Sequence, residues 1–199
     1  MRITVVGWSG LLIDCDSTGS AQAWAARLAQ LPLIAGAEVI PGAASVLVDG
    51  LADPATVAAR LAALPPPEPL PPHAGELVEL PVRYDGPDLA RVAGHWAVTP
   101  DEVARIHAAT EFRVAFVGFA PGFGYLTGLP AERAVPRLAT PRARVPAGSV
   151  GLAGAYTGVY PGASPGGWLL IGHTDAQLFD VSVRPPARLR PGVRVRFIA

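Results

Sequence analysis

The sequence predicts an α+β protein in two parts, a small α+β sandwich over residues 1–64 and a compact all-β domain over residues 74–199, with a linker at 65–73. Three observations carry this. Strand and helix patterns alternate up to residue 64 in an order that closes a two-layer core. Six of the eight residues from Pro65 to Pro72 are proline, which makes a stiff, extended spacer. Between Gly118 and Gly172 there are 12 glycines and 7 prolines, so no long helix forms there and tight turns separate short apolar runs.

In chain order, Arg2 to Val6 and Leu11 to Cys15 are apolar runs around Gly7 to Gly10 and read as two strands. Ser20 to Leu31 places Trp24, Leu28 and Leu31 at helical spacing, with a start at Ser17 or Ser20 and a stop at Pro32. Val39–Ile40 and Ser45 to Val48 are strands around the Pro41-Gly42 turn, and Asp53 caps a helix with Pro54 in its first turn, running to about Leu64. After the proline run, whose other reading is a docking segment for a proline-binding partner, Glu76 to Tyr84 reads as a strand with Pro81 at its edge. Asp88 to Ala93 is a short helix. Thr99-Pro100-Asp101-Glu102 starts another as a capping box, and Arg113 to Gly118 is a strand. The chain closes on a strand from Val193 to Ile198, with Val193, Val195 and Phe197 on one face.

Half the residues are apolar and 16% are charged, the composition of a globular protein. Net charge is zero but unevenly spread. Residues 1–111 carry 6 Arg against 13 Asp or Glu, residues 112–174 carry 5 Arg and 1 Glu, and residues 175–199 carry 5 Arg and 2 Asp. The acidic and basic parts are therefore expected to present different faces, with a basic field around the Gly-rich stretch suited to a carboxylate or phosphate. The arginines form no run, so nucleic acid is not expected as a partner. The single cysteine, Cys15, excludes an internal disulfide, no Cys or His pair has metal-ligand spacing, and the uncharged stretches are broken by Pro and Gly. The expectation is a cytoplasmic protein with no metal and no membrane contact.

The familiar phosphate-loop, dinucleotide and zinc-protease motifs are absent. Ser149 in A-G-S-V-G falls one residue short of a nucleophile elbow, because position 147 is Ala, and reads first as a turn serine and only second as a hydrolase nucleophile. Arg142 and Arg144, two apart in an extended segment, leave on one face. They either hold an anion, or form a solvated face or an ion pair with the acidic part of the chain. His107, near a helix end, reads first as a cap or a packed histidine and second as a general base. His173 adds a titratable group to the basic region, and Phe123, Tyr125 and Trp168 line a pocket or fill a core.

Three blocks, G-F-A-P-G-F-G-Y-L-T-G-L-P, T-P-R-A-R-V-P-A-G-S-V-G-L-A-G and T-G-V-Y-P-G-A-S-P-G-G-W-L-L-I-G-H-T, resemble those of the allophanate hydrolase subunit 1 family. That family is also described as the 5-oxoprolinase B subunit or the Kip sporulation-kinase inhibitor, and related sequences form part of the carboxyltransferase domain of urea carboxylases. The resemblance implies an N-terminal ferredoxin-like α+β domain followed by a cyclophilin-like β-barrel. It also implies ATP-dependent opening of 5-oxoproline to glutamate, in a complex with a homologous C-type subunit plus a lactam-utilisation A-type subunit. In that complex ATP would be a co-substrate, not tightly bound by this chain. The family's other implied role is inhibition of a sensor histidine kinase; prolyl isomerase activity ranks last, because the motifs are not those of cyclophilin.

By similarity Arg142, Arg144, Ser149, Tyr160, Ser164, Gly166, Gly167 and Trp168 face the barrel pocket, and His107 matches a family histidine. His173 stands where the family usually has Arg, so no fixed positive charge is expected there. The catalytic candidates are therefore His107, Arg142 and Ser149. The candidates for binding a small carboxylate are Phe119, Phe123, Tyr125, Arg142, Arg144, Tyr160, Ser164, Gly166, Gly167, Trp168 and His173.

Overall fold

The computed structural model describes residues 1–68 and 75–199. The chain divides into two compact units, Met1–Ala74 and Gly75–Ala199. The run expected as a linker, 65–73, falls mainly outside the described residues; its first four, 65–68, form no helix or strand.

In the first unit β1 (Arg2–Val6), β2 (Gly10–Asp14), α1 (Thr18–Leu28), β3 (Glu38–Pro41), β4 (Ser45–Asp49) and α2 (Pro54–Ala62) follow one another. The sheet order is β1-β2-β4-β3, with every neighbour antiparallel. Read from β2 onward and returning to β1, this is strand, helix, strand, strand, helix, strand, the ferredoxin-like arrangement with its last strand moved to the front. Ser17 caps α1, its Oγ accepting from the Ser20 N–H at 3.1 Å. The helix ends three residues before the expected Leu31, because Pro32 starts a separate 3₁₀ turn over Pro32–Ile34. Asp53 caps α2 by accepting from the Thr56 N–H at 3.1 Å. Leu11, Ile13, Trp24, Leu28, Val46, Val48 and Leu61 make a core of this unit's own residues.

The second unit contains β5 (Leu77–Pro81), α3 (Leu89–Trp96), α4 (Pro100–Ala109), β6 (Glu111–Val117), β7 (Gly124–Thr127), β8 (Arg142–Val145), β9 (Ser149–Ala153), β10 (Tyr156–Val159), β11 (Ser164–Gly166), β12 (Leu169–His173) and β13 (Arg194–Ile198). Seven strands form one sheet in the order β12-β9-β10-β7-β6-β13-β5, with β5 parallel to β13. The segment that leaves β5 joins the two edges. Val82 N–H donates to Ile198 O at 2.7 Å, then Arg83 and His173 exchange both backbone hydrogen bonds at 2.9 Å, and Asp88 N–H reaches Leu170 O at 2.9 Å. The sheet thereby curls into a barrel, which leaves fewer unpaired edge groups. The side chains of α3 and α4, including Val92, Trp96 and Val103, pack with Phe112, Val114, Leu126, Leu152 and Phe197. The Thr99–Glu102 capping box that starts α4 is complete. The ribbon of β8 and β11 stands apart from the main sheet.

The expected separation of acidic and basic faces does not hold inside this unit. Carboxylates from residues 76–111 pair with later arginines: Glu76 with Arg190 at 2.6 Å, Asp88 with Arg142 at 2.8 Å and Glu111 with Arg194 at 2.8 Å. Barrel closure interleaves the two parts of the chain, so much of the counted excess of arginine is neutralised locally. Among the described residues no helix is long and apolar enough to cross a membrane.

Candidate functional site

The loop between β6 and β7 is tied to itself: Ala120 N–H donates to Gly118 O at 2.7 Å and Phe123 N–H to Ala120 O at 2.9 Å. This holds Phe119 at φ +67, a left-handed conformation costly for a residue with a Cβ, and leaves the residue 59% exposed. Its ring lies edge-on to Phe123, with centroids 5.3 Å apart, and to Tyr160 at 6.0 Å. Phe123 in turn meets Tyr160 and Trp168, each at 5.4 Å, and Tyr125 meets Trp168 at 5.6 Å. These edge-to-face contacts build a rigid aromatic wall.

Glycines make room for it. A Cβ on Gly158 would lie 2.8 Å from Phe123, and one on Gly166 would lie 2.4 Å from the Tyr160 hydroxyl oxygen. The result is a cavity of about 380 Å³ lined by Phe119, Phe123, Tyr125, Tyr156, Tyr160 and Trp168 with Ala153, Gly154, Pro165, Gly166 and Arg137. Burial pushes the Tyr160 phenol up from its ordinary pKa, while a hydrogen bond from the Trp168 backbone and the Arg137 and Arg142 charges pull the other way. Tyr160 therefore keeps its proton at neutral pH, as a hydrogen-bond donor.

Arg142, Arg144, Ser149 and His173 line a second cavity, of about 490 Å³, with Asp85, Gly86 and Leu170. Arg142 and Arg144 do share a face, but Arg142 is already engaged. Its Nη2 donates to both carboxylate oxygens of Asp88 at 2.8 Å and its Nη1 to Trp168 O at 3.2 Å. Asp88 also accepts from Leu170 N–H at 2.7 Å. Arg144 is exposed and has no side-chain partner among the described residues.

His173 is held between neighbours: Arg83 donates to its Nε2 from Nε at 3.0 Å, and its Nδ1 lies 2.8 Å from Asp85. The tautomer with the proton on Nδ1 satisfies both contacts. Ser149 sits opposite His173 across β9 and β12, but the Nε2 lone pair is spent on Arg83, so this arrangement presents no base to the serine.

The remaining candidates lie in neither cavity. Ser164 Oγ is buried without a hydrogen-bond partner among the described residues. Gly167 underlies the Arg137 guanidinium, where a Cβ would stand 3.7 Å from it. His107 is fully buried in the barrel core against Phe112 and Phe197, with the Tyr84 hydroxyl 2.8 Å from Nδ1 and the Thr157 hydroxyl 3.3 Å from Nε2. Burial depresses its pKa to about 3, so the imidazole is neutral.

The carboxyltransferase domain, subdomain C and D, matches residues 1–189. The chain belongs to that family. Among curated relatives of this carboxyltransferase-family chain, the 5-oxoprolinase B subunit of Escherichia coli O157:H7 is 52% identical over 124 residues, 61% of this chain and 57% of that protein. The 5-oxoprolinase B subunit of Bacillus subtilis (strain 168) is 49% identical over 125 residues, 61% of this chain and 52% of the relative. The aligned part thus spans little more than half of each relative. Of solved structures, TTHA0988 superposes with a TM-score of 0.78 at 32% identity, over 96% of this chain and 39% of that one. The urea amidolyase of K. lactis superposes with a TM-score of 0.69 at 16% identity, over 98% of this chain and 14% of that one. The fold class is therefore as expected for the family: a ferredoxin-like α+β domain followed by a cyclophilin-like barrel.

Three residues of these cavities and their supports carry no motif signal in the sequence. Asp88 reads there only as a helix start, and its pairing with Arg142 spans 54 positions. Tyr156 and Arg137 flank the family blocks without any spacing that marks them.

Proposed function

We propose that the chain acts as the B-type subunit of an ATP-dependent 5-oxoprolinase, opening 5-oxoproline to glutamate together with a homologous C-type subunit plus a lactam-utilisation A-type subunit. The observation that carries this reading is the aromatic cavity. It gathers Phe119, Phe123, Tyr125, Tyr160, Gly166 and Trp168 around a space suited to a small planar ring. Relatives about half identical over the matched part, named as the B subunit of 5-oxoprolinase, support the same substrate class.

In the reaction the amide C–N bond of the lactam breaks, a water oxygen joins the carbonyl carbon to form the new carboxylate, and the nitrogen leaves as an amine. An unstrained amide resists this, and ATP, as co-substrate of the complex, supplies the driving force as a second water cleaves its terminal phosphoanhydride bond to give ADP and phosphate. The part assigned to this chain is to hold the ring between aromatic faces and away from bulk water, with the protonated Tyr160 hydroxyl available to a ring carbonyl. Arg142, tied to Asp88, shapes the ribbon beside the cavity, and Ser149 and His107 are assigned no proton transfer.

The test is glutamate release from 5-oxoproline and ATP by the complex of all three proteins, co-expressed. Release that requires this chain is expected; a purified complex that leaves 5-oxoproline intact overturns the reading.

A further inference from the structure

We infer that Arg137 is the carboxylate-binding residue of the aromatic cavity, which makes that cavity specific for a ring that bears a free carboxylate. The inference rests on the lactam-acid reading above and names the group that would recognise the acid. Arg137 is the one charged residue lining this cavity among the described residues. It has no ion-pair or hydrogen-bond partner among the described residues, so its guanidinium fork is free for a ligand. Gly167 lies beneath it, where a Cβ would stand 3.7 Å from both Nε and Nη2, so the fork lies along the glycine backbone at the cavity rim.

The other two arginines of the region are excluded by geometry. Arg142 is held by both oxygens of Asp88, and Arg144 lines the second cavity. A planar guanidinium takes a carboxylate through two parallel hydrogen bonds, and aromatic walls accept the flat ring attached to it. An aromatic box alone would equally suit a cation, but a permanently charged guanidinium lining it repels one. A neutral prolyl ring would leave the fork unused.

The experiment titrates the full chain with 5-oxoproline and with its uncharged amide, 5-oxoprolinamide, following chemical shifts of wild type, Arg137→Ala and Arg137→Lys. The acid is expected to saturate the wild type while the amide binds at least about tenfold more weakly. Arg137→Ala should lose at least about tenfold in affinity for the acid, the size of one charge-assisted pair, and Arg137→Lys should recover part of it. The unliganded spectrum of each variant reports that the fold is intact, as expected for an exposed side chain. Equal binding of acid and amide, no saturable binding of the acid, or an Arg137→Ala variant as tight as wild type overturns the inference.

Kinetics of the assembled complex separate the two claims. If wild type releases glutamate and Arg137→Ala does so with unchanged KM, the inference fails and the function stands. If no glutamate appears but acid binding depends on Arg137, the function fails and the inference stands.

Discussion

At the scale of single residues, burial decides what a side chain can do. His107 illustrates it: the fold withholds it from solvent and depresses its pKa to about 3, whereas an unfolded chain protonates the same imidazole near 6.5. The unfolded state therefore binds more protons between those values. The contribution of His107 to stability is complete above about pH 6.5 and is lost as pH falls toward 3, at about 1.4 kcal/mol per pH unit. Between about pH 6.5 and pH 5 the wild type should lose about 2 kcal/mol that His107→Gln does not, measured by urea unfolding at both pH values; parallel losses would contradict the assignment. Arg142 teaches the same lesson for charge. Removing its partner by Asp88→Ala leaves a half-buried guanidinium and an unpaired Leu170 N–H, for a predicted cost of about 3 kcal/mol in the same assay. A cost near zero would return Arg142 to the pool of free anion-binding groups. The family blocks made the aromatic residues legible in the sequence. They could not show that Arg142 is engaged, because Asp88 meets it only after the barrel closes, nor could they single out Arg137, which sits between blocks.

At the scale of elements, helix ends were readable because capping chemistry is local: Ser17, Asp53 and Thr99 each stand where a cap was expected. Strands in the Gly-rich stretch were harder to read. Runs such as Val150 to Leu152 mark β9, but β11 reads Ser-Pro-Gly and carries no apolar pattern, since it pairs with β8 in a two-stranded ribbon outside the main sheet. Closure of the barrel through Arg83 and His173 joins residues 90 positions apart and leaves no local trace. It does depend on two glycines, Gly86 and Gly172, at which the closing segment and β12 touch through their backbones. A Cβ on Gly172 would lie 2.3 Å from the Arg83 carbonyl oxygen, so Gly172→Ala must force the closing segment off β12. We predict a loss of about 1–3 kcal/mol, the range for overpacking a tight contact, with hydrogen exchange quickened first at the Arg83 and His173 amides. Unchanged protection at those amides would show that closure does not rest on this approach.

At the scale of the whole molecule, we propose that the two units are separate domains, each stabilised by its own core. The cluster built on Leu11, Trp24, Leu28 and Leu61 shares no residue with the barrel clusters. Leu28→Ala should therefore cost the first unit about 2–5 kcal/mol while the near-ultraviolet signal of the aromatic wall survives its unfolding. Simultaneous loss of both signals would make the chain one cooperative unit. The proline run pointed to this division from sequence alone, because no compact element tolerates six prolines in eight residues. Counting charge along the chain was a poorer guide, because folding mixes what the sequence keeps apart. In the function proposed above, the aromatic cavity is where a lactam acid binds. Intermolecular nuclear Overhauser contacts between the ring methylenes of 5-oxoproline and this chain test it most directly. Contacts to the rings of Phe123, Tyr160 and Trp168 are expected; contacts confined to the cavity of Arg144, Ser149 and His173, or none at all, would place the acid elsewhere.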